Sequence, residues 1–394
     1  MALMGVMEGP KLLSILFGLL VGIIAPCNGR ADFCMTLYKE GGVSAVLESP
    51  ECAFEYLPPR NHSRSKKCQF ATIQGPRDYQ EDRILCDPDM KSDLLGNFCQ
   101  EDLKIGLAAV FDGHGGNEAS ELAVQLFPFY FQLHVIFLGQ KEMELFEDKR
   151  DMAFQLETEA NPLGAHFGRC LNESQMLKVF EEAIRLTIHD IDSTFSRVAS
   201  KKPLLAGATA TAALIVDGQL LVANVGDSKA LLCSEKIPSS NNGDGIAKAS
   251  LQVAELTQDH HPDRDDEKAR IIASGGFISF SGVPRVNGIL AVSRAIGDVY
   301  LRRYGVIAEP EMTGWLYLKP SDAFLVVASD GVFESLSSQE VCSLLQVHSR
   351  SEDGDNGSSQ CLLPSLAECI VNVALEKGST DNLSAVVVPL RTVW

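Results

Sequence analysis

The sequence predicts an α+β fold in which antiparallel β-sheets pack with helices, and three observations lead to it. Segments of helical and of strand-like pattern occur in clusters, without the regular strand–helix–strand alternation of a parallel sheet. Residues 207–216 and 219–225 alternate small and β-branched residues around Asp217-Gly218, a strong hairpin signal. Two other apolar segments, 106–111 and 324–329, each stop abruptly at Asp-Gly. Strands joined by tight turns are therefore expected.

The remaining elements follow from local periodicity. Apolar residues at helical spacing predict five helices, at 118–137, 176–195, 264–274, 339–346 and 363–375. The helix at 264–274 ends at Gly275-Gly276, which is typical of a C-cap. Besides the hairpin, strands are predicted at 68–75, 106–111, 324–329 and 383–388. The acidic stretch 141–160 is interpreted as a further helix or an insertion.

The N-terminus has the pattern of a targeting segment. Residues 12–24 form an uncharged apolar run, which is short for a membrane-spanning helix of about 20 residues. The run suits a signal peptide, or, with Ala25 and upstream residues, a retained anchor; a buried terminal helix is the alternative. We predict membrane association through residues 12–25 or entry into the secretory pathway. The predicted organisation is a signal or anchor over 1–29, an irregular arm over 30–66 and a globular domain over 67–390.

The chain has 11 cysteines, and none forms a CxxC pair, so a zinc ribbon or thioredoxin-like site is unsupported. Disulfides are expected if the domain lies in a lumen; otherwise most cysteines would be small core residues. Asn61, Asn172, Asn356 and Asn382 each begin an N-x-S sequon, which matters only in a lumen. The sequence leaves these alternatives open.

The charge balance argues against one class of partner. Lys and Arg number 34 against 52 Asp and Glu, for a net charge of −18. Affinity for nucleic acid comes largely from basic residues on phosphates, so we expect no nucleic-acid partner. The excess acid is expected on a solvated surface; the alternative is that part of it gathers at a cation site.

The positions of the acidic residues point to that site. Asp112 and Asp330 each end an apolar strand, and Asp227 follows another. Glu81 and Asp82 follow the first strand, and Asp381 precedes the last one. Burying an unpaired carboxylate costs several kcal/mol, so carboxylates clustered at strand ends need compensation. Hard cations such as Mg²⁺ and Mn²⁺ supply it, because they prefer carboxylate and carbonyl oxygens.

A series of short motifs carries a specific resemblance. In order along the chain they are Arg77-x-x-x-Glu81-Asp82, Phe111-Asp-Gly-His-Gly-Gly116, Gly207-Ala-Thr-Ala, Val225-Gly-Asp-Ser228, Ser293-Arg-Ala-Ile-Gly-Asp298, Ala328-Ser-Asp-Gly331 and Asp381-Asn382. Together they resemble the protein phosphatase 2C family, especially its plant members, over residues 67–389. The resemblance implies a central β-sandwich of two antiparallel sheets flanked by helices, in four layers, with a metal centre at one end.

The resemblance also implies roles for individual residues. Asp112 is similar to the carboxylate that bridges two ions, and Gly113 to a backbone carbonyl ligand. The other implied metal ligands are Glu81, Asp330 and Asp381. Arg77 matches the substrate-phosphate contact, a task suited to its planar, two-pronged donor geometry. His114 matches the general acid that protonates the departing serine or threonine oxygen.

The implied activity is a metal-dependent protein serine/threonine phosphatase acting on phosphoprotein substrates. Two Mg²⁺ or Mn²⁺ ions per subunit would activate a bridging water that attacks phosphorus directly, without a phosphoenzyme. Proton donation by His114 would assist an alkoxide leaving group by about 10²–10⁴-fold. We expect a monomer.

One position departs from the family pattern. Glu334 stands where many members have an aspartate that, with the residue matching Asp227, surrounds a third, weaker ion. Glutamate is longer by one methylene, which puts occupancy of a third site formed by Asp227 and Glu334 in question.

Other enzyme classes lack their motifs here. No cysteine has an arginine six positions later, as Cys-x5-Arg phosphatases require, and the Gly-Asp-x-His and Gly-Asn-His-Glu motifs of another metallophosphatase class are absent. The glycine-rich loop and catalytic lysine of a kinase are absent too. The remaining alternative is a non-catalytic phosphatase-like domain acting as a binding or scaffold protein.

Overall fold

The computed structural model describes residues 31–52, 67–90, 103–156, 171–202, 204–236, 250–351 and 365–392. The chain divides into two compact units, Met1–Pro58 and Pro59–Trp394. The predicted signal or anchor over 1–29 lies outside the described residues, as do Asn61 and Asn356.

The first unit contains a helix, α1 (Ala31–Glu48), which bends at Gly41-Gly42. A disulfide joins Cys34 to Cys52 across this helix. The prediction of an irregular arm over 30–66 is therefore wrong for α1. The two glycines interrupt the helical periodicity, and buried Val43 and Val46 give the helix an apolar face.

The second unit holds the sheets. In chain order its strands are β1 (Gln69–Ile73), β2 (Arg83–Asp87), β3 (Ile105–Phe111), β4 (Gly113–His114), β5 (Gly207–Ala208), β6 (Ala210–Val216), β7 (Gln219–Val225), β8 (Lys229–Lys236), β9 (Ser250–Glu255), β10 (Ile278–Ser281), β11 (Val283–Val286), β12 (Ile296–Gly297), β13 (Glu311–Met312), β14 (Leu316–Tyr317), β15 (Asp322–Ala328) and β16 (Leu383–Pro389). Its α-helices are α2 (Glu118–Leu156), α3 (Glu173–Lys201), α4 (Asp265–Ala273), α5 (Asp330–Phe333), α6 (Ser338–Ser351) and α7 (Leu366–Glu376). Short 3₁₀ helices cover Val299–Tyr304 and Leu390–Thr392.

Two large sheets form, and every strand pair in them is antiparallel. One has five strands in the order β1-β16-β15-β8-β9. The other has six, in the order β13-β7-β6-β3-β2 with β14 also paired to β7. The predicted hairpin is the β6–β7 pair. The α+β class with antiparallel sheets is confirmed.

The sheets face each other across a shared apolar core. Side chains from β3, β6 and β7 meet side chains from β15 and β16, all nearly or fully buried: Ala108, Val110, Ala213, Ile215, Val222, Leu325, Val327 and Val386. A disulfide links the two sheets at one edge, because Cys68 lies next to β1 and Cys86 belongs to β2. This packing is the predicted β-sandwich.

Helices cover both outer faces. The five-stranded sheet packs against α6 and α7 through a second buried cluster that includes Val326, Val387, Leu345 and Ile370. A disulfide between Cys233 of β8 and Cys342 of α6 lies within that cluster. On the other side, α2 and α3 pack on the six-stranded sheet, where the rings of Phe111 and Phe127 lie 5.7 Å apart. The four layers of the expected architecture are present.

Helix α2 is longer than predicted, because the acidic stretch 141–160 continues it to Leu156 rather than forming a separate helix. Within the described part of the chain, its Glu118–Leu145 portion is the one segment long and apolar enough to cross a membrane. However, 56% of its most apolar window is buried inside the protein, as in the core helix of a globular domain.

Candidate active site

Asp112 lies directly after β3, whose seven residues are all buried. Its backbone N–H donates to Thr209 Oγ1 at 3.1 Å, and its carbonyl accepts from the Thr209 N–H at 2.8 Å. Thr209 Oγ1 in turn bonds to Ser228 Oγ at 2.9 Å. Two motifs far apart in sequence therefore fix the backbone that presents the Asp112 carboxylate.

Three carboxylates converge at this end of the sandwich. Ligand oxygens of Asp112, Asp227 and Asp330 all lie within 4.8 Å of one another. Asp330 begins α5, separated from the end of β15 by the N-cap residue Ser329. A β-carbon at position 331 would lie 2.1 Å from the Asn382 carbonyl oxygen, so only glycine allows β15 and β16 to bring their ends together here.

The cluster is electrostatically costly when its members are ionised. Burial, together with the negative charge of Asp330, raises the pKa of Asp227 from 3.8 to about 7 and holds that of Asp112 well above its usual range. Burial and the charge of Asp330 also raise the pKa of Asp381. A group of carboxylates that destabilise one another in this way is a candidate site for a cation.

Asp82 belongs to the same cluster, although the sequence analysis gave it no ligand role. Its side chain is buried and accepts a hydrogen bond from Ser329 Oγ at 2.9 Å. Burial raises its pKa to about 7, and the charges of Asp330 and Asp381 add to the effect. Its place after Glu81 was visible in the sequence, but its contact with Ser329 spans 247 positions and was not.

Arg77 and Asp381 lie together at the rim. Arg77 Nη2 donates to Asp381 Oδ2 at 2.5 Å, and Nε donates to the Thr380 carbonyl at 3.1 Å. The Arg77 side chain is 51% exposed, against 21% for Asp381. The guanidinium therefore borders the carboxylate cluster and faces solvent.

Asn382 organises the segment that carries Arg77 and Glu81. Its Nδ2 donates to the carbonyls of Gln74 and Tyr79 at 2.8 and 2.9 Å, and its Oδ1 accepts from the Glu81 N–H at 2.8 Å. The Glu81 carboxylate accepts from the Gly116 N–H at 2.7 Å. This arrangement places Glu81 beside the loop that follows β4.

Glu334 contacts the turn that leads to Asp381. Its Oε2 accepts from the backbone N–H of Thr380 at 2.8 Å, from Ser379 Oγ at 3.1 Å and from Thr380 Oγ1 at 3.2 Å. Asp227, by contrast, lies within the three-carboxylate cluster. Asp227 thus lies beside Asp112 and Asp330. Glu334 instead forms hydrogen bonds with the turn at Ser379 and Thr380.

Gly113 and His114 form β4, which pairs with β5. His114 Nε2 lies 2.7 Å from Asp298 Oδ2, and the Asp298 side chain is fully buried. Burial lowers the pKa of His114, but the charge and hydrogen bond of Asp298 outweigh it and raise the pKa overall. A β-carbon on Gly207 would lie 2.1 Å from Asp298 Oδ2 and 2.4 Å from His114 Nε2, so the pair requires glycine there.

Asp298 is the second residue that sequence reasoning missed as a participant. It was quoted within Ser293–Asp298 without a role. Its backbone lies in the left-handed region, with φ 46°, directly after β12. The aspartate at the end of this motif was the one signal in the sequence. Its contact with His114 depends on the pairing of β5 with β12 on one side and with β4 on the other.

The sequence profile described as protein phosphatase 2C matches residues 66–383. The chain belongs to the protein phosphatase 2C family. A probable protein phosphatase 2C 51 from Arabidopsis thaliana is 42% identical, with 96% of this chain and 82% of that protein covered. A putative protein phosphatase 2C 76 from Oryza sativa subsp. japonica is 38% identical, with 93% and 87% covered. The predicted family and its plant-type character are confirmed.

Solved structures agree on the fold. A serine-threonine phosphatase 2C from Toxoplasma gondii matches with a TM-score of 0.60 at 20% identity, over 84% of this chain and 97% of that one. Membership of the protein phosphatase 2C family makes this chain a serine/threonine protein phosphatase. The alternative, a non-catalytic binding or scaffold domain, is not favoured. The family is metal-dependent, and the aspartate cluster could bind a metal ion.

Proposed function

We propose that the protein hydrolyses phosphoserine and phosphothreonine esters at the aspartate cluster, with two Mg²⁺ or Mn²⁺ ions per subunit. The observation that carries this proposal is the convergence of Asp112, Asp227 and Asp330 within 4.8 Å, at the end of the sandwich where Arg77 and His114 also lie. The arrangement combines carboxylate ligands for the ions, a guanidinium (Arg77) that can bind phosphate and an imidazole (His114) that can donate a proton.

The residues present fit hard divalent ions. The side chains of the cluster offer carboxylate oxygens, the ligands that such ions prefer. The pKa values of Asp82, Asp112 and Asp227 are raised by burial and by repulsion between the carboxylates, and a bound cation would relieve that repulsion. Asp112, Asp330 and Asp381, with Glu81 and the Gly113 carbonyl, would hold the ions; Asp227 and Glu334 are the candidates for a third. Bound ions would supply an activated water and neutralise charge on the phosphoryl oxygens.

Arg77 orients the substrate phosphate. Two of its N–H groups bond to Thr380 and Asp381, which holds the guanidinium at the rim of the cluster. A guanidinium has five N–H donors, so the others can donate to two phosphate oxygens.

His114 supplies the proton for the leaving group. Its Nε2 is bonded to Asp298, which leaves Nδ1 as the nitrogen that can face the departing oxygen. The buried carboxylate of Asp298 stabilises the protonated imidazole, since it accepts from Nε2 and carries the opposite charge. The side chains of the protein thus position carboxylates for the ions, orient the substrate phosphate through Arg77 and donate one proton from His114.

Turnover of a phosphothreonine peptide tests the proposal. Purified protein with Mn²⁺ should release phosphate, and chelation with EDTA should abolish the release. Okadaic acid should not inhibit it. The control is Asp112→Asn, which keeps the volume but removes a charge from the cluster. A wild-type rate no higher than that of this control at saturating Mn²⁺ or Mg²⁺ would support a binding or scaffold role instead.

We also propose that the partners are phosphoproteins, that the protein acts as a monomer without nucleic acid, and that residues 12–25 direct it to a membrane or the secretory pathway. The net charge of −18 supports the exclusion of nucleic acid. The uncharged run over 12–24 supports targeting. Fractionation of cells that express the whole chain separates membrane-bound, secreted and cytosolic protein.

A further inference from the structure

The cysteines of the described residues are all oxidised. Three disulfides have both partners in the described ranges: Cys34–Cys52, Cys68–Cys86 and Cys233–Cys342. Cys369 is disulfide-bonded as well. The Cα–Cα separations of the three pairs are 5.7, 6.3 and 5.6 Å, within the range that a disulfide spans.

These bonds cross the fold at separate places. Cys68–Cys86 links the two sheets, and Cys233–Cys342 joins β8 to α6 over 109 positions, with both side chains fully buried. In the cytosol, glutathione and thioredoxin keep such thiols reduced, and buried cysteines there are normally unpaired core residues. Pairing of every described cysteine indicates folding in an oxidising compartment.

The sequence supplies a route to that compartment. The apolar run over 12–24 precedes Cys27, which lies inside the predicted signal or anchor over 1–29. Beyond residue 29 the chain has ten cysteines, an even number, as a disulfide framework requires.

The sequon at Asn172 is accessible to glycosylation in the folded protein. Asn172, in Asn172-Glu-Ser174, is exposed at the N-cap of α3, and Ser174 is exposed too. Asn172 Oδ1 accepts from the Gln175 N–H at 2.9 Å. An N-linked glycan attaches to Nδ2, so the capping bond through Oδ1 survives the modification.

A second sequon, at Asn382, is unsuitable in the folded protein. Asn382 is 4% exposed, and its Nδ2 donates to two backbone carbonyls, those of Gln74 and Tyr79. A glycan on that nitrogen would leave it a single N–H, so at least one of the two bonds would be lost, and the sugar would not fit in the available space.

We propose that the phosphatase unit matures on the luminal or extracellular side of the membrane, with its cysteines oxidised and an N-linked oligosaccharide on Asn172. Each disulfide forms when two thiols give two protons and two electrons to a disulfide of a thiol–disulfide oxidoreductase, which becomes a dithiol. The cysteines would be oxidised and Asn172 glycosylated in either case: after cleavage of a signal peptide, or with a retained anchor that leaves the phosphatase unit on the luminal or extracellular side.

The glycan is tested with the whole chain, expressed with its own N-terminus in mammalian cells. Digestion with peptide-N-glycosidase F should increase gel mobility, and mass spectrometry should find Asn172 deamidated by the digestion. Ser174→Ala removes the sequon but keeps the Asn172 cap, and it should lose one glycan. Glu173→Gln changes the neighbouring residue, keeps the sequon, and should retain the glycan. An Asn172 that is unmodified in the wild-type protein overturns the assignment of this site.

The oxidised state is tested on the same sample. Denatured protein is treated with a polyethylene glycol maleimide before and after reduction, and the labelled cysteines are mapped. Cys233 and Cys342 should react only after reduction. Reaction of both without reductant overturns the luminal location. Neither readout depends on phosphatase activity, so failure here is distinguishable from failure of the proposed function.

Discussion

Asp82 and Asp227 contribute to the way in which the stability of the protein depends on pH. Both are buried, and burial raises the pKa of each from 3.8 to about 7. The folded state therefore keeps protons that the unfolded chain loses above about pH 4. The free energy of unfolding contributed by these groups is fully present below that pH and is lost as pH rises through 7.

For metal-free protein in EDTA, we accordingly expect the midpoint of thermal unfolding to fall between pH 5 and pH 8. Saturating Mn²⁺ should reduce or reverse the trend, because the cation replaces the protons. Asp227→Asn should flatten the metal-free curve. A midpoint that rises over this range in EDTA would contradict the assigned protonation.

Asp298 is a positioning residue for His114. Asp298→Asn removes the charge that stabilises protonated His114 while keeping the volume of the buried side chain. We expect hydrolysis of a phosphothreonine peptide to fall by about 10²-fold, since an alkoxide needs the proton. Hydrolysis of p-nitrophenyl phosphate should change far less, because nitrophenolate leaves without one.

The control for this experiment is Glu309→Gln, which alters a partly exposed histidine–carboxylate pair between His189 of α3 and Glu309. It should leave both rates unchanged. Equal losses on the two substrates in Asp298→Asn would show a general structural defect in place of a role in proton delivery.

At the scale of elements, the turn between α7 and β16 is held by Glu334. Glu334→Ala removes the acceptor for the Thr380 N–H and for two hydroxyls. Hydrogen bonds to a charged group contribute about 1.5–3 kcal/mol, so the turn that presents Asp381 should loosen. We expect the concentration of Mn²⁺ needed for half-maximal thermal stabilisation to rise by about tenfold or more.

Glu334→Asp should not restore the affinity, because the shorter side chain does not reach Thr380. Glu235→Gln, at a surface pair with Arg391, is the control and should bind Mn²⁺ like the wild type. If Glu334→Asp instead binds Mn²⁺ more tightly than the wild type does, the side chain at position 334 acts as an ion ligand and not as an anchor of the turn.

Some of these elements could be predicted from local sequence. The β6–β7 hairpin was predictable because Asp217-Gly218 marks its turn, and Asp112 and Asp330 were predictable because each lies just after an apolar strand. Strand β2 was not predicted, since its apolar centre is only three residues long between Arg83 and Asp87. Its pairing with β3, rather than its own pattern, makes it a strand.

Contacts distant in sequence account for the rest of the site. His114 and Asp298 are 184 positions apart, and they meet because β5 pairs with both β4 and β12. The resemblance named His114 but assigned nothing to its partner. Single residues at strand ends were therefore accessible from sequence, whereas pairs that depend on sheet register were not.

At the scale of the whole molecule, the Cys233–Cys342 bond links strand β8 to helix α6 over 109 positions. In the chain-entropy model, closing a loop of that size stabilises a protein by about 5 kcal/mol, mainly by restricting the unfolded chain. We expect reduction of the native protein to lower the free energy of unfolding by an amount of this order. Guanidinium unfolding with and without reductant measures it.

The matched variant is Cys233→Ala/Cys342→Ala, which should unfold at lower denaturant than the oxidised wild type. Reductant should shift its midpoint by less than it shifts that of the wild type, because the variant lacks one of the bonds that reduction breaks. Equal shifts in the two proteins would mean that another disulfide carries the stabilisation.

The Cys68–Cys86 bond encloses Arg77, Glu81 and Asp82 in one covalent ring. Reduction would open that ring and leave the segment held by the pairing of β1 with β16 and of β2 with β3, together with the hydrogen bonds of Asn382. Without the covalent link the loop that carries Arg77 has more conformational freedom, so we expect reduced protein to bind phosphate more weakly than oxidised protein. Phosphatase activity should therefore be compared in oxidised and reduced samples of the same preparation.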